Sequence, residues 1–531
     1  MAVRAPQLPV LPSPGGKPGS SRWLALTVLC VSILIINLDV TVLNVALPTL
    51  VRDLHATSHQ LQWIVDAYAL VYGGLVLVGG SLADRIGRKF TFLAGLALFA
   101  GGSAWAAFSG SVGMLIAARA SMGIGAAVMM PSTLSIITDM FRDGRQRQQA
   151  IGIWSGTTGI GFALGPLIGG LLLAHFWWGS VFLVNVPVAA IGFICAIPLV
   201  PNSKNPAALR PDLTGAVLSI AGLGLVLWSI IEAPVYGWSS ALVIGIGAAG
   251  LAVLAGFAAW ERVSSHPMLN LGFFRLPSFS APVCSLGLTM FALVGSLFVV
   301  TQFLQFNLGY TPLQAGVRML PMAAAMAVVA PLSSIAVRWA GTKLTITAGM
   351  LLIAAGFWQT SYATVSWTFA TILPGMLLGG VGAALVIPAV SGSVMSSLPR
   401  EHTGVGSATN GVFIQVGGAL GVAVIGSLLS TRYQDRMTTA LAQVPVPHAV
   451  ANTITGSIGG ALGVAGQVGG VMGRLLTQAA RSAFVSGADL SLFTGAMVVL
   501  AGCVLALVTV PRRPRADTES ESPADPAADD E

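Results

Sequence analysis

Long apolar runs separated by short polar breaks follow one another along almost the whole chain. Most runs reach the ~20 residues that an α-helix needs to cross a ~30 Å hydrocarbon core. They are too long and too uniformly apolar for the strands of a membrane barrel. The pattern therefore predicts an all-α polytopic membrane protein. Fourteen spans are predicted, at residues 23–50, 60–80, 90–108, 112–137, 149–173, 180–200, 212–233, 240–260, 278–304, 314–336, 342–361, 366–390, 405–430 and 488–510.

Composition agrees with the hydropathy pattern. Of 531 residues, 55% are hydrophobic and only 8% are charged, whereas soluble domains carry about 25% charged residues. The net charge of +7 is spread over short loops, so the expected partner is a lipid bilayer and not nucleic acid. The four cysteines form no motif, and the six histidines are scattered near loops. Neither a metal site, a cofactor nor an enzyme active site is therefore expected.

The distribution of basic residues predicts the orientation. Most of the 26 Lys and Arg residues fall in alternate loops on one side, and such loops are usually cytoplasmic. Both termini are therefore predicted to be cytoplasmic, with a short tail at 1–22 and an acidic, disordered tail at 511–531. The largest external loop is predicted at about 431–487. Its short amphipathic stretches, such as 471–484, either lie on the membrane surface or cap the exit.

Three short sequence patterns recur in the same order with an offset of about 255 residues. Residues 123–131 match 380–388, residues 161–165 match 417–421, and residues 87–89 match 341–343. The repeat predicts two homologous six-helix halves, at 23–200 and 266–510, with two inserted helices in 201–265. Two halves around a site at the bilayer midplane are typical of secondary transporters.

Asp39 is a carboxylate inside the apolar run 31–48. A charge at the centre of a membrane helix costs at least ~2.5 kcal/mol, so such residues are seldom kept without a function. Burial also disfavours the charged form of a carboxyl group. We therefore interpret Asp39 as a functional residue and as a candidate proton carrier. The second half has no acidic residue deep in a predicted span, so ionisable chemistry is predicted in the first half.

Four motifs carry a resemblance to a known family. Residues 80–89, Gly-Ser-Leu-Ala-Asp-Arg-Ile-Gly-Arg-Lys, resemble the signature loop of the major facilitator superfamily. Residues 38–48, 119–125 and 161–170 resemble first-, fourth- and fifth-helix motifs of its fourteen-helix drug/proton antiporter branch. The resemblance covers about 23–510. It implies the major facilitator fold, alternating access, and proton-driven export of amphiphilic, lipophilic small molecules. No cofactor besides the proton gradient is implied, and a monomer is expected.

Two motifs have both a structural and a functional interpretation. The resemblance implies a conformational charge latch in the loop between spans two and three; simple topogenic positive charge is the alternative. It also implies that the fifth-helix motif favours exchange over uptake; helix packing alone is the alternative. The gating residues are Gly80, Asp84, Arg85, Gly87, Arg88 and Lys89. The antiporter-motif residues are Gly161, Gly165, Pro166, Gly169 and Gly170.

The candidates for proton coupling are Asp39 and, in span two, Asp66, and the resemblance adds Arg119. Arg119 either faces the central cavity or snorkels to an interface. The family motif usually has Gln at the position of Met122, which weakens a full hydrogen-bonded relay. The aromatic neighbours of Asp66 either form an interfacial belt or line a cavity in which Asp66 binds a cation or a proton. Glu232, near the end of span seven, is expected to have an interfacial role.

The substrate cavity is expected to be mostly apolar. Some quaternary-ammonium exporters of the branch carry acidic residues in spans ten and thirteen, where this chain has Met, Asn and Gln. Neutral or monocationic amphiphiles are therefore favoured over dications. The candidate lining residues are Asp39, Asp66, Tyr68, Trp154, Phe162, Phe298, Phe306, Asn410, Phe413 and Gln415.

Other functions compete with multidrug export. A dedicated exporter of one metabolite or antibiotic would show the same motifs. A proton-coupled uptake symporter is disfavoured by the Gly165-Pro166 pair. The chain has no phosphate-binding GxxxxGK[S/T] loop, so ATP hydrolysis is not expected to supply the energy.

Overall fold

The computed structural model describes residues 19–204, 211–265, 267–269, 271–397, 403–442 and 446–510. The predicted tails therefore lie largely outside the described residues. Every regular element within them is helical. The helices are α1 Gly19–Leu54, α2 Ser58–Ile86, α3 Arg88–Ala107, α4 Val112–Met140, α5 Gly144–His175, α6 Ser180–Leu183, α7 Asn185–Leu199, α8 Leu213–Tyr236, α9 Ala241–Val263, α10 Pro277–Gln302, α11 Pro312–Thr360, α12 Phe369–Ser396, α13 Thr403–Leu441, α14 His448–Gly456, α15 Ile458–Val468 and α16 Gly470–Thr509. A 3₁₀ turn, Phe273–Arg275, precedes α10, and a π turn, Phe303–Asn307, follows it.

Thirteen helices in the described ranges are long and apolar enough to cross a membrane, with α6 and α7 forming one of them. Helix α11 is unusual because it contains 49 residues. A straight helix of that length would extend about 74 Å, more than twice the thickness of a bilayer core. The helix is broken at Gly341, whose φ of 82° and ψ of 162° are not helical. Positive φ favours glycine, and the break divides α11 close to the two predicted spans 314–336 and 342–361.

The predicted bounds near the C-terminus were wrong. Helix α13 continues to Leu441, and α16 begins at Gly470, so most of the predicted loop 431–487 is helical. Small residues explain the error: they lower the apolar signal but permit close packing. For example, a Cβ at Gly487 of α16 would lie only 2.6 Å from the carbonyl oxygen of Leu429 in α13.

The two halves pack in the same way. In the N-terminal half α1 contacts α5 and α7, and α4 contacts both α2 and α3. In the C-terminal half α10 contacts α13 and α16 in the same roles, while α12 contacts both parts of α11. The sequence repeat therefore has a counterpart in helix packing.

Matching glycines make matching helix contacts. Gly123 of α4 lies against Tyr68 and Tyr72 of α2, and Gly380 of α12 lies against Met322 and Met326 of α11. In each glycine a Cβ would crowd the neighbouring helix. Small residues of this kind let membrane helices approach closely, so the shared glycines form a scaffold common to both halves.

The two inserted helices attach through α8. Its residues Leu223, Leu227 and Ile231 pack against α2 and α13. Glu232 accepts a hydrogen bond of 3.1 Å from the indole nitrogen of Trp63 in α2. Glu232 therefore joins the inserted pair to the N-terminal half. Helix α9 packs mainly against α8 and has many exposed apolar side chains.

The halves meet at the end of the bundle that carries the loop 55–57. Gln305 donates a 2.9 Å hydrogen bond to the carbonyl of Val45, and Ser58 donates a 3.1 Å bond to the carbonyl of Gly456. Helix α15 also lies over this end, since Gly459 packs against Val51. We call this the closed end.

Candidate transport site

Asp39 and Arg119 form an ion pair between α1 and α4. The Arg119 Nη1 donates to Asp39 Oδ2 at 2.5 Å, and each side chain is only 1% exposed. The structure thus brings together two residues that lie 80 positions apart in the sequence. Arg119 is enclosed by protein, so snorkelling to an interface does not describe it.

Further contacts surround the ion pair on both sides. Asn185 of α7 donates to the second oxygen of Asp39 at 3.3 Å. Arg119 donates through Nε to the carbonyl of Ile64 at 3.1 Å, and its guanidinium lies 4.4 Å from the ring centre of Tyr68. Its Nη1 is also 3.8 Å from the sulfur of Met122, a weak acceptor. The charges are therefore satisfied from α1, α2, α4 and α7 together.

This arrangement changes the interpretation of Asp39. On sequence alone, Asp39 is a candidate proton carrier. In the structure both oxygens accept hydrogen bonds, one of them from a buried cation. Removing one member of such a pair leaves an uncompensated buried charge. The Asp39–Arg119 pair and its neighbours consequently connect four helices of the first half.

Asp66 has the opposite environment. It is 0% exposed, and neither carboxyl oxygen has a hydrogen-bond partner among the described residues. It lies on α2, one turn from Gln62, whose side chain contacts α13 of the other half. An unpaired carboxylate in such surroundings is costly, and uptake of a proton removes its charge. Asp66 is therefore a buried carboxyl group whose charge no hydrogen bond offsets among the described residues.

The other predicted cavity residues do not form one lining. Phe298 and Phe306 are buried in the packed core of the second half, so they line no open space. Half-buried Trp154 and Phe162 lie on α5; the indole nitrogen of Trp154 donates to Thr133 at 3.1 Å. The remaining candidates lie on α2 or α13. They are Tyr68, which faces Arg119; buried Asn410; Phe413, which stacks on Phe274 at 5.9 Å; and Gln415, which contacts Gly73.

An apolar cavity lies within the second half, between α10, α11, α12 and α16. Its volume is about 30 Å³, and its lining includes Met319, Met322, Phe357 and Met376. Sites for drug-sized ligands usually measure ~300–1,000 Å³. This cavity is too small for such a ligand, and it contains none of the predicted lining residues.

The gating motif forms a local charged cluster. Arg88, the first residue of α3, donates to Asp84 at 2.8 Å and to the carbonyl of Ser135 at 3.3 Å. Lys89 donates to the carbonyl of Ile197, and Arg85 is exposed. Gly87 has a φ of 132° at the junction of α2 and α3, and Gly80 lies beside Pro131. The motif thus ties α2, α3, α4 and α7 together at the end opposite the closed end.

The antiporter motif packs against two neighbours at once. A Cβ at Gly161, Gly165 or Gly169 would crowd α1, and one at Gly170 would meet α11 of the other half at Leu313. Gly316 of α11 lies directly against the carbonyl of Pro166. The motif therefore forms an interface between the halves at the closed end, which gives the packing interpretation a specific role.

Three polar residues were missed in the sequence. Gln62 and Asn185 are both buried within apolar spans, and a search for every buried amide in a span would have found them. Asp489 was not singled out either; it lies near the middle of α16 and is half-buried.

Comparisons with known proteins agree with the fold and the motifs. The family model described as Major Facilitator Superfamily matches residues 29–422. The tetracenomycin C resistance and export protein of Streptomyces glaucescens is 33% identical over 95% of each chain. The multidrug efflux pump LfrA of Mycolicibacterium smegmatis is 34% identical over 92% of this chain and 97% of that protein.

A solved structure gives the same fold at lower sequence identity. A bacterial homologue of the human lysosomal transporter Spinster, in an inward-facing and unoccupied conformation, superposes with a TM-score of 0.64 at 17% identity. The match covers 93% of this chain and 98% of that one. The two chains therefore share a fold along nearly their whole length.

Proposed function

This chain belongs to the Major Facilitator Superfamily, and we propose that it is a proton-driven exporter of amphiphilic, lipophilic small molecules. The observation that carries the proposal is the fully buried carboxyl group of Asp66 near the contact between the two halves, which has no hydrogen-bond partner among the residues the structure describes. Related chains named as export and multidrug efflux proteins match over more than nine-tenths of its length. A multi-pass transporter with no nucleotide-binding loop needs another source of energy, and a protonatable group in the bundle fits a proton gradient.

The proposed topology has fourteen spans, with both termini in the cytoplasm. Division of α11 at Gly341 supports the count, and the excess of Lys and Arg in alternate loops supports the orientation. In that orientation the closed end is external and the structure faces inward. One chain contains both halves, so we propose that a monomer is sufficient for transport.

In the proposed cycle Asp66 carries the proton and the Asp39–Arg119 pair supports the helices around it. Asp66 gains a proton from the external side and loses it to the cytoplasm. Substrate enters from the cytoplasm after the proton has left, and it leaves when the proton returns. Each proton that enters down a potential of 100 mV releases ~2.3 kcal/mol, which rocking of the halves converts into export.

The proposed substrates are neutral or monocationic amphiphiles. The antiporter motif, which packs α5 against the opposite half, suits exchange, as the resemblance implies. Export of a single compound is the second candidate, because one relative at 33% identity is named for resistance to tetracenomycin C alone. The breadth of transport separates the two.

Reconstitution into liposomes with an imposed pH gradient tests the proposal. The probes are ethidium and tetraphenylphosphonium as monocations, methyl viologen as a dication, and neutral aromatic antibiotics. We expect gradient-driven movement of several monocationic or neutral probes, and its loss in Asp66→Asn. Movement of only one probe would favour the dedicated exporter. Movement without any dependence on the gradient, or full coupling in Asp66→Asn, would refute the proton mechanism.

A further inference from the structure

Gln62 links the two halves through its side chain. Its Oε1 accepts a hydrogen bond of 3.0 Å from the hydroxyl of Ser427 in α13. Both residues are 0% exposed. A Cβ at Gly426 would lie 2.8 Å from Gln62 Cδ, so the amide lies flat against that glycine. The bond is therefore an enclosed contact between α2 and α13.

The other end of the same amide is unused. Gln62 Nε2 has no hydrogen-bond partner among the described residues, and neither do the two oxygens of Asp66. Residues four apart on a helix lie on one face, about 5–6 Å apart at Cβ, and a Gln–Asp pair at this spacing forms a hydrogen bond in isolated helices. An unsatisfied donor and an unsatisfied acceptor thus lie within reach of each other.

Other titratable side chains near this face are already occupied or lie elsewhere. Glu232 of α8 binds Trp63, Arg119 of α4 pairs with Asp39 of α1, and His59 of α2 contacts Thr57. On α13, residues 408–431 contain no charged side chain. Tyr68 and Tyr72 lie on the α4 side of α2, against Gly123. Gln62 is consequently the polar group through which a change of charge on Asp66 can reach α13.

We propose that Gln62 couples the proton on Asp66 to the contact between α2 and α13, an inference that rests on the proposed function of Asp66. When Asp66 is protonated, the amide holds Ser427 and the external end stays closed. When Asp66 loses its proton, the carboxylate attracts Nε2, the amide turns, and Ser427 is released. The release favours opening to the outside. Loss of the proton to the cytoplasm thereby promotes the outward step, which is the order that exchange requires.

Distance measurements on the full chain test the coupling. Spin labels at the exposed positions Asp53→Cys and Thr438→Cys report the separation of the halves at the closed end, in a background lacking the four native cysteines. We expect the open fraction to rise with pH as Asp66 ionises. In Gln62→Leu this response to pH should disappear.

A second variant tests the Gln62–Ser427 hydrogen bond separately from the response of Gln62 to Asp66. Ser427→Ala removes the bond to α13 and leaves Gln62 and Asp66 in place. It should raise the open fraction at low pH by about threefold to tenfold, the shift that one hydrogen bond supports, and reduce the response to pH. The matched control is Ser285→Ala on α10, because the hydroxyl of that buried serine donates to the carbonyl of Ala281 within its own helix. The control should behave like the parent protein.

The outcomes distinguish this inference from the proposed function. A Gln62→Leu protein that opens with the parent's dependence on pH overturns the coupling through Gln62, even when transport is proton-driven. A parent protein that shows no gradient-driven transport overturns the proposed function instead. A folded Ser427→Ala protein with an unchanged open fraction shows that the Gln62–Ser427 hydrogen bond does not hold the closed end together.

Discussion

Two buried carboxyl groups in the first half lie in contrasting surroundings. Asp39 has an arginine, an asparagine and a four-helix framework around it, and both of its oxygens accept hydrogen bonds. Asp66 is just as deeply buried and has no partner for either oxygen among the described residues. The cost of burying the first charge is offset by its pairing. The cost of burying the second remains unless a proton neutralises it.

The difference gives the two carboxyl groups different proposed roles: Asp39 supports the helix packing, and Asp66 carries the proton. Asp39 accepts hydrogen bonds from an arginine and an asparagine, so its loss breaks contacts between helices. A change of charge on Asp66 breaks no hydrogen bond among the described residues. The location of each group agrees with this division. Asp39 lies among helices of a single half, while Asp66 lies one turn from a hydrogen bond between the halves. Movement of the halves therefore affects the surroundings of Asp66 more directly.

The largest expected effect follows from breaking the buried pair. Arg119→Gln leaves the carboxylate of Asp39 without its cation, and Asp39→Asn leaves the guanidinium unpaired. Each change should lower the free energy of unfolding by about 3–5 kcal/mol, as for other buried pairs that lose one partner. Denaturation of the purified protein measures the loss.

The double variant Asp39→Asn with Arg119→Gln provides the control. It removes both charges, so it should recover most of the lost stability, and the two effects should be strongly non-additive. Additive losses would show that the two side chains do not stabilise the fold through their mutual contact. If Asp39→Asn keeps the parental stability but does not transport, Asp39 and not Asp66 would be the proton carrier.

The next effect concerns Asp66 and acts on coupling. Asp66→Asn removes the titrating proton but breaks no hydrogen bond seen in the structure, so the free energy of unfolding should change much less than in the Asp39 and Arg119 variants. Gradient-driven transport should fall to the level of passive leak. Binding of substrate to the purified protein should continue, and parallel assays of transport and binding on one preparation test this split. Loss of binding as well would indicate that Asp66 contacts the substrate.

Much of the fold could be predicted from the sequence because burial in lipid imposes a strong local pattern. The break in α11 coincides with Gly341, which the repeat had already aligned with Gly87. The last helix could not be delimited in this way, because Gly470 begins a helix whose first turns are rich in small and polar residues. Their packing is determined by α13 and α15, which no local window contains.

The sequence predicted which residues belong to the site but not which of them contact one another. The motifs identified Asp39, Arg119 and Asp66, yet all three looked alike as charges in apolar spans. Only the fold shows that Asp39 and Arg119, 80 positions apart, are in direct contact. It also shows that Asp66 has no hydrogen-bond partner in the part of the chain that the structure describes. Gln62 was overlooked because a neutral amide adds little to a hydropathy profile, although burial makes its hydrogen bonds as consequential as a charge.

A smaller effect should follow from crowding the interface at the closed end. Gly316→Ala places a methyl group against the carbonyl of Pro166, and overpacking costs about 1–3 kcal/mol. The cost applies to the state in which the halves touch here, so the open fraction should rise about fivefold or more. The spin-label distance measures the shift. Gly379→Ala is the matched control, since nothing lies within 4 Å of its Cβ position, and an equal response in both variants would contradict the interface.

The smallest effect is expected at the opposite end, in the gating motif. The Asp84–Arg88 pair is partly exposed, with side chains 33% and 18% accessible, and such pairs contribute only about 0.2–1 kcal/mol. Asp84→Asn should therefore shift the open fraction by no more than about fivefold, in a manner that weakens with salt. Arg85→Gln, which removes an exposed charge from the same motif, is the control. A shift of the open fraction well above fivefold would mean that Asp84 has a stronger partner in the other conformation. The pairing of a carboxyl group would then be as important in the gating motif as it is for the two buried residues.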